Sequence, residues 1–258
     1  LDCIFLQLQL LCRVDLKPRQ SVIIFDEVQF CPKARQAIKM LVKDGRYDYI
    51  ETGSLISIKK NVKDILIPSE ERRINMYPMD FEEFLCAVGV GETFSLLRKA
   101  YEANVPLGED AHRKIMRLFR LYMLVGGMPQ AVSTYMETNN FKMVDNVKRD
   151  ILNLYEDDFK KIDPTGRAAM LFDAIPAQLN NNASRFQISG VLANARAKDT
   201  AELIAEMQNS GTILVSYHAN DPMAGLSANV DLNVYKLFLA DTGLFVTLMF
   251  KDRDFTEN

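Results

Sequence analysis

The sequence lacks any hydrophobic run long enough to cross a membrane: the ~20 uninterrupted apolar residues of a spanning helix occur nowhere. Its most apolar stretch, Ile4 to Cys12, is broken by Gln7 and Gln9. Glycine and proline are scarce, 12 and 9 of 258 residues, which excludes collagen-like and low-complexity chain. No glycine at all precedes Gly45. The four cysteines, Cys3, Cys12, Cys31 and Cys86, form no C-x-x-C pair, and only His112 and His218 accompany them. Neither a zinc site nor a disulfide framework is expected, and a reducing, cytoplasmic setting is. Charge of one sign is also missing. With 31 basic and 34 acidic residues the net charge is −3, far from the basic surface that holds nucleic acid by bulk electrostatics. A basic leader with a small-residue cleavage site is absent, so no signal peptide is expected.

What is present is an ordinary globular composition. The 48% of hydrophobic residues is enough to offset chain entropy by burial, which excludes disorder, and the length predicts about two domains. Ser21-Val-Ile-Ile-Phe25 is a continuous apolar block ending in Asp26-Glu27, the pattern of a parallel strand buried on both faces. Ala34, Ala37, Ile38, Leu41 and Val42 then mark one helical face, and Gly45 stops it. A second strand, Tyr47 to Glu51, turns at Thr52-Gly53-Ser54, completing a βαβ unit.

Beyond Pro78 helices are predicted over Phe81–Val88, Glu109–Val125, a long stretch from Phe141 to Phe159, and Ala168–Leu179. Phe81, Phe84 and Leu85 share a face that is expected to dock on the βαβ core. Shorter helices at Ser189–Ala193 and Thr200–Asn209, then strands at Thr212–Tyr217 and Tyr235–Leu239, follow the order of a winged helix. Arg185, Arg196 and Lys198 lie near its potential recognition helix, but Glu202 and Glu206 follow them. Packing against protein is therefore favoured over DNA contact.

A carboxylate at the tip of a buried strand is what a P-loop nucleotidase uses to hold the water shell of Mg²⁺, and a second one polarises the attacking water. Taken alone, Asp26-Glu27 reads as an acidic cap of the next helix, and Thr52-Gly53-Ser54 as a turn. His112 reads as a surface residue, Glu82 and Glu83 as neighbours pointing about 100° apart, and Asp241-Thr242-Gly243 as a helix-capping turn rather than an aspartic-protease tripeptide.

In their order and spacing, Ser21-Val-Ile-Ile-Phe-Asp-Glu-Val-Gln29, Tyr49-Ile-Glu-Thr-Gly-Ser-Leu55 and Met76-Tyr-Pro-Met-Asp-Phe-Glu-Glu-Phe-Leu85 resemble a prokaryotic AAA-type ATPase family whose members carry a C-terminal domain of unknown function. Leu121 to Gln130, Arg149 to Tyr155 and Tyr235 to Leu244 resemble its later landmarks. The resemblance implies Asp26 as the Walker B aspartate that holds Mg²⁺ through water and Glu27 as the catalytic base. It also implies Thr52 and Ser54 as the sensor position, and Arg73 as an arginine that stabilises transferring charge. Where relatives have Gly-Arg, this chain has Ser69-Glu70, and Arg72 and Arg73 alternatively form a solvated pair. The implied ligands are Mg²⁺ and ATP, with nucleotide state changing the angle between core and lid and a homo-oligomer as the arrangement in which arginines act across subunits.

The pattern G-x-x-x-x-G-K-[ST] is absent, so no backbone nest for the α- and β-phosphates and no phosphate lysine are present in the sequence. With Leu1 at the start and Asn258 at the end, the expectation is a fragment that lacks the phosphate loop and does not turn over ATP. The expected architecture is an α/β partial P-loop core with a parallel sheet over residues 1–85, a helical lid over 86–165, and a winged-helix-like α+β module over 166–258. The competing reading is a non-enzymatic DNA- or protein-binding module on a degenerate ATPase scaffold.

Overall fold

A computed structural model describes residues 1–53, 72, 74–181, 183–193, 197–221, 225–226 and 229–253, and places them in two compact units, Leu1–Asn75 and Met76–Asn258.

The first unit is a small βαβ assembly. Helix α1, Asp2–Cys12, precedes strand β1, Val22–Phe25; a 3-10 turn over Val28–Phe30 leads to α2, Pro32–Asp44, and then to β2, Asp48–Glu51. Pro32 opens α2, where its missing N–H costs nothing, and Gly45 closes it at φ +72°, a conformation glycine adopts without strain. The strands are parallel, with Val22 opposite Asp48 and Phe25 opposite Glu51. Phe5, Ile38 and Leu41 form the buried cluster, and Ile23, Phe25, Tyr47 and Tyr49 pack against it. The other face of the sheet is open: Val22, Ile24 and Ile50 are 49%, 60% and 50% exposed. The expected burial on both faces is thus corrected to burial on one. Apolar runs show that a strand suits a buried sheet, not that both faces are covered. Helix α1 was not anticipated as an element.

The second unit is mainly helical: α3 Phe81–Ala87, α4 Glu92–Glu102, α5 Glu109–Val125, α6 Pro129–Thr138, α7 Phe141–Ile162, α8 Arg167–Asp173 and α9 Ile175–Asn180. A 3-10 turn over Ile188–Gly190, α10 Ala197–Asn209, the antiparallel strands β3 Ile213–Ala219 and β4 Val230–Leu239, and α11 Thr242–Met249 complete it. The predicted single helix over Ala168–Leu179 is two. Pro176 has no N–H to give to the Phe172 carbonyl, and the chain bends at Ala174. Ser189–Ala193 shortens to the 3-10 turn, and α4 was not anticipated.

Helix α3 begins with a reciprocal capping box: Glu83 N–H donates to Asp80 Oδ1 at 2.9 Å, and Asp80 N–H donates to Glu83 Oε2 at 3.0 Å. Glu82 pairs with Arg98 at 2.9 Å. Phe84 is buried with Val125, Ala131, Val132 and Val144, and Phe81 packs on Phe119 and Tyr122. Phe81 and Phe84 thus pack within the second unit, and Leu85 is fully buried. A larger cluster, centred on Phe159, Leu171, Phe172, Ile175 and Met207, joins α7 through α11. The Phe186 N–H donates to the Tyr235 carbonyl at 2.7 Å, so the chain before the 3-10 turn lies along β4.

Candidate functional site

The tips of β1 and β2 are tied to each other. The ladder continues one step past the strands, with Thr52 N–H donating to the Phe25 carbonyl at 3.0 Å. Asp26 follows, exposed, and the chain then reverses at Glu27, which has φ +52° and ψ +48°. A left-handed conformation costs a residue with a Cβ about 1–2 kcal/mol, so something must hold it. Three bonds to Thr52 do. Glu27 N–H donates to Thr52 Oγ1 at 3.1 Å, Val28 N–H donates to the Thr52 carbonyl at 3.0 Å, and the Thr52 hydroxyl donates to Asp26 Oδ1. Val28 is buried and anchors the turn beneath.

The predicted residues Asp26, Glu27 and Thr52 are thus brought together at the carboxyl ends of two parallel strands, where open α/β sheets bind ligands. Ser54 and Arg73 lie outside the described residues. Arg72 is exposed. Asp26 Oδ2 has no partner among the described residues. An exposed carboxylate with one oxygen fixed and the other unengaged, beside a second carboxylate, is the hard oxygen donor set that Mg²⁺ takes while retaining waters. The residues present fit the ion. Among the described residues no group of three or more His, Cys, Asp or Glu could hold a metal by itself.

Beneath the tips, the Arg35 guanidinium of α2 pairs with Glu51 at 3.3 Å; both side chains are largely buried against the inner sheet face. The Tyr49 phenol beside them is pushed up by burial, with the charge of Asp44 acting in the same direction. Sequence periodicity gave no signal for this pair, because Arg35 sits next to, not on, the apolar stripe of α2.

A second polar cluster lies in the other unit. The α5 helix ends at Val125, and its last carbonyls need partners. The Lys148 ammonium, only 2% exposed, donates to the Leu124 carbonyl at 2.8 Å and to the Gly243 carbonyl at 3.4 Å. Asp241 caps α11, accepting from Leu244 N–H at 2.7 Å on one oxygen and from Gly127 N–H at 2.5 Å on the other. Asp145 accepts from the Thr247 hydroxyl at 2.7 Å and from Arg149 at 2.8 Å. Burial pushes Asp241 up and Lys148 down, each opposed by the other's charge. Close approach here requires glycine: a Cβ on Gly127 would overlap the Met79 carbonyl, and one on Gly243 would overlap that of Val125. With the Asp241 oxygens spent on backbone N–H groups and the Lys148 ammonium on two carbonyls, the cluster clasps α5, α7 and α11 together. Asp241 had a sequence signal as a cap; Lys148 had one too, four residues after Val144 and three before Ile151 on the buried face of α7.

Near the potential recognition helix, Arg185 and Glu202 and Glu206 of α10 are exposed, while Arg196 and the side chain of Lys198 lie outside the described residues. His112 is exposed in the first turn of α5, and all four cysteines are exposed thiols. No helix among the described residues is long and apolar enough to cross a membrane.

The family model of an AAA domain matches residues 4–85, which span both strand tips, and that of a domain of unknown function (DUF8612) matches residues 116–254. No curated protein and no solved structure matches the chain. The AAA match supports an ATPase-type, nucleotide-binding character for the segment that holds Asp26, Glu27 and Thr52. The second match covers more than half of the chain, which therefore belongs to the family defined by that domain of unknown function and carries an AAA-type domain ahead of it.

Proposed function

We propose that residues 1–85 form the carboxylate half of a Mg-ATP site, with Asp26 as the Walker B residue that holds the metal's water shell and Glu27 as the base that orients the attacking water. The observation that carries this reading is the bonded set Asp26, Thr52, Glu27 at the carboxyl ends of two parallel strands. When bound, Mg²⁺ would neutralise charge on the β- and γ-phosphates. Asp26 would orient its waters, and Glu27, turned away from Asp26 by its left-handed backbone, would take a proton at its carboxylate. Ser54 and Arg73 enter through the family resemblance, as a γ-phosphate sensor and a charge-stabilising arginine. Residues 86–165 would act as a lid and 166–258 as a winged-helix-like module that responds to nucleotide state.

Without a glycine-rich phosphate loop in its sequence, the 258-residue chain binds ATP weakly and does not turn it over. Mn²⁺ serves as the probe for the metal half. Paramagnetic broadening of the backbone amide signals of residues 26–28 is expected in the wild-type chain, with the affinity about tenfold lower in Asp26→Asn. Equal broadening in both proteins would remove Asp26 from the site. MgATP hydrolysis by the pure chain, abolished by Glu27→Gln, would overturn the inactivity.

For the C-terminal module, the exposed Glu202 and Glu206 on α10 favour a protein surface over duplex DNA as its partner, because phosphates are repelled there. A salt-dependent affinity for duplex DNA tighter than about micromolar, by fluorescence anisotropy, would reverse that preference.

A further inference from the structure

We infer that Thr52 is a positioning residue: its hydroxyl aims the two carboxylates, Asp26 directly and Glu27 through its backbone, instead of meeting a phosphate. A hydroxyl has one proton to give and two lone pairs. The proton goes to Asp26 Oδ1, and one lone pair takes the Glu27 N–H at 3.1 Å. What remains is an acceptor. Phosphate oxygens are acceptors too, so Thr52 can donate to a γ-phosphate only by releasing Asp26.

The backbone of Thr52 supports this assignment separately. Its N–H and carbonyl are both committed, to Phe25 and to Val28, so the hydroxyl is carried on a segment that the ladder already fixes. From that fixed point it reaches both sides of the Asp26–Glu27 peptide. The left-handed turn at Glu27 is strained for a residue with a Cβ, and the Glu27 N–H bond to Thr52 Oγ1 is one of the contacts that retains it. The same hydroxyl therefore sets where the Asp26 carboxylate sits and in which direction the Glu27 side chain leaves the backbone. Threonine suits the position: its branched Cβ restricts rotation, so the hydroxyl is held in one orientation. The structural half of this inference stands by itself, whereas its consequence for metal binding rests on the nucleotide-site reading above.

Thr52→Val keeps the shape and removes the hydroxyl, and Thr52→Ser restores it. In the full chain, amide hydrogen exchange followed by NMR is expected to speed up about tenfold at Glu27 in Thr52→Val and to stay at the wild-type rate in Thr52→Ser. Val28, whose amide is bonded to the Thr52 carbonyl, should exchange equally in all three proteins and so reports that the strand tips are intact. Mn²⁺ affinity, read from broadening of the same amides, is expected to fall about tenfold in Thr52→Val and to recover in Thr52→Ser. An unchanged Glu27 amide in Thr52→Val, with Val28 also unchanged, overturns the inference. Loss of Glu27 protection with wild-type Mn²⁺ affinity overturns the positioning of Asp26. Absence of Mn²⁺ broadening in the wild-type chain overturns the nucleotide-site reading, and the amide rates alone then decide what Thr52 holds.

Discussion

Among the described residues, three side chains, Phe5, Ile38 and Leu41, make up the buried cluster of residues 1–75, whereas 17 form the larger of two clusters in residues 76–258. The difference is not one of composition. Residues 1–53 are rich in leucine, isoleucine and valine, yet α1 buries Phe5 alone and leaves Leu6, Leu10 and Leu11 exposed, the last at 81%. Among the described residues of this unit, two parallel strands with α1 and α2 packed on one face are less than a parallel sheet ordinarily has, since such sheets are covered on both faces. The second unit closes its own core, and even its buried charges are used: Lys148 and Asp241 satisfy helix ends that would otherwise be orphaned. The first unit thus has a defined chemical feature at its strand tips on a thin base, and the second a thick base with its polar groups spent on architecture.

Four variants would break or sharpen that contrast. The largest effect is expected for Gly127→Ala, whose Cβ would overlap the Met79 carbonyl and lie 2.7 Å from Met79 N, so two backbone segments must part. A loss of about 3 kcal/mol in the second unit's stability is expected in chemical denaturation. Gly45→Ala in the first unit meets no atom within 4 Å and should cost only the left-handed penalty, about 1 kcal/mol. Similar losses at the two glycines would erase the contrast in packing.

An intermediate effect is expected at Asp163. Burial pushes its carboxyl up, but the Thr165 hydroxyl, the Thr165 N–H and the Arg167 N–H, with the Arg167 charge, outweigh it and hold it below its ordinary 3.8. A carboxyl depressed in the folded state contributes stability above that ordinary value and loses it as pH falls through the folded one. Asp163→Ala should therefore cost about 1 kcal/mol at neutral pH and distinctly less once the pH is well below 3.8. A cost that does not change with pH in denaturation curves would assign the effect to packing instead.

The smallest effect on stability is expected for Leu10→Gln with Leu11→Gln. Both side chains are exposed, so the change should stay within about 0.5 kcal/mol. Binding of a hydrophobic dye should nonetheless drop, because these leucines belong to the uncovered surface of the first unit. Unchanged dye binding would move that surface elsewhere, to Val22, Ile24 and Ile50 on the open sheet face.

Much of the chain was legible residue by residue. Glu109–Val125 has the bounds its periodicity gave, α7 starts at Phe141 as expected, and Asp241 caps α11. Such features depend on neighbours three or four residues away, which sequence contains. Residues distant in the chain were the harder part. The partners of Phe84, Val125, Ala131, Val132 and Val144, were not legible because an apolar helix face names no partner, and the burial of β1 was overstated because apolar residues on a strand do not report what lies across from them. Within the candidate site, the order and spacing of Asp26, Glu27 and Thr52 were legible, since they are set by a motif. The bonds among them were not.

The sequence by itself determined most of the local elements, the missing glycine-rich pattern and the places where carboxylates follow an apolar strand. Only the tertiary structure decided that the Thr52 hydroxyl is engaged by Asp26 and Glu27, 26 and 25 residues away, and that Lys148 lies in a buried clasp. The physical reason is directional. Periodicity reports which side of an element is apolar, but a hydroxyl proton or an ammonium is assigned only when the pairing of two strands, or the crossing of three helices, brings one particular acceptor within 3 Å.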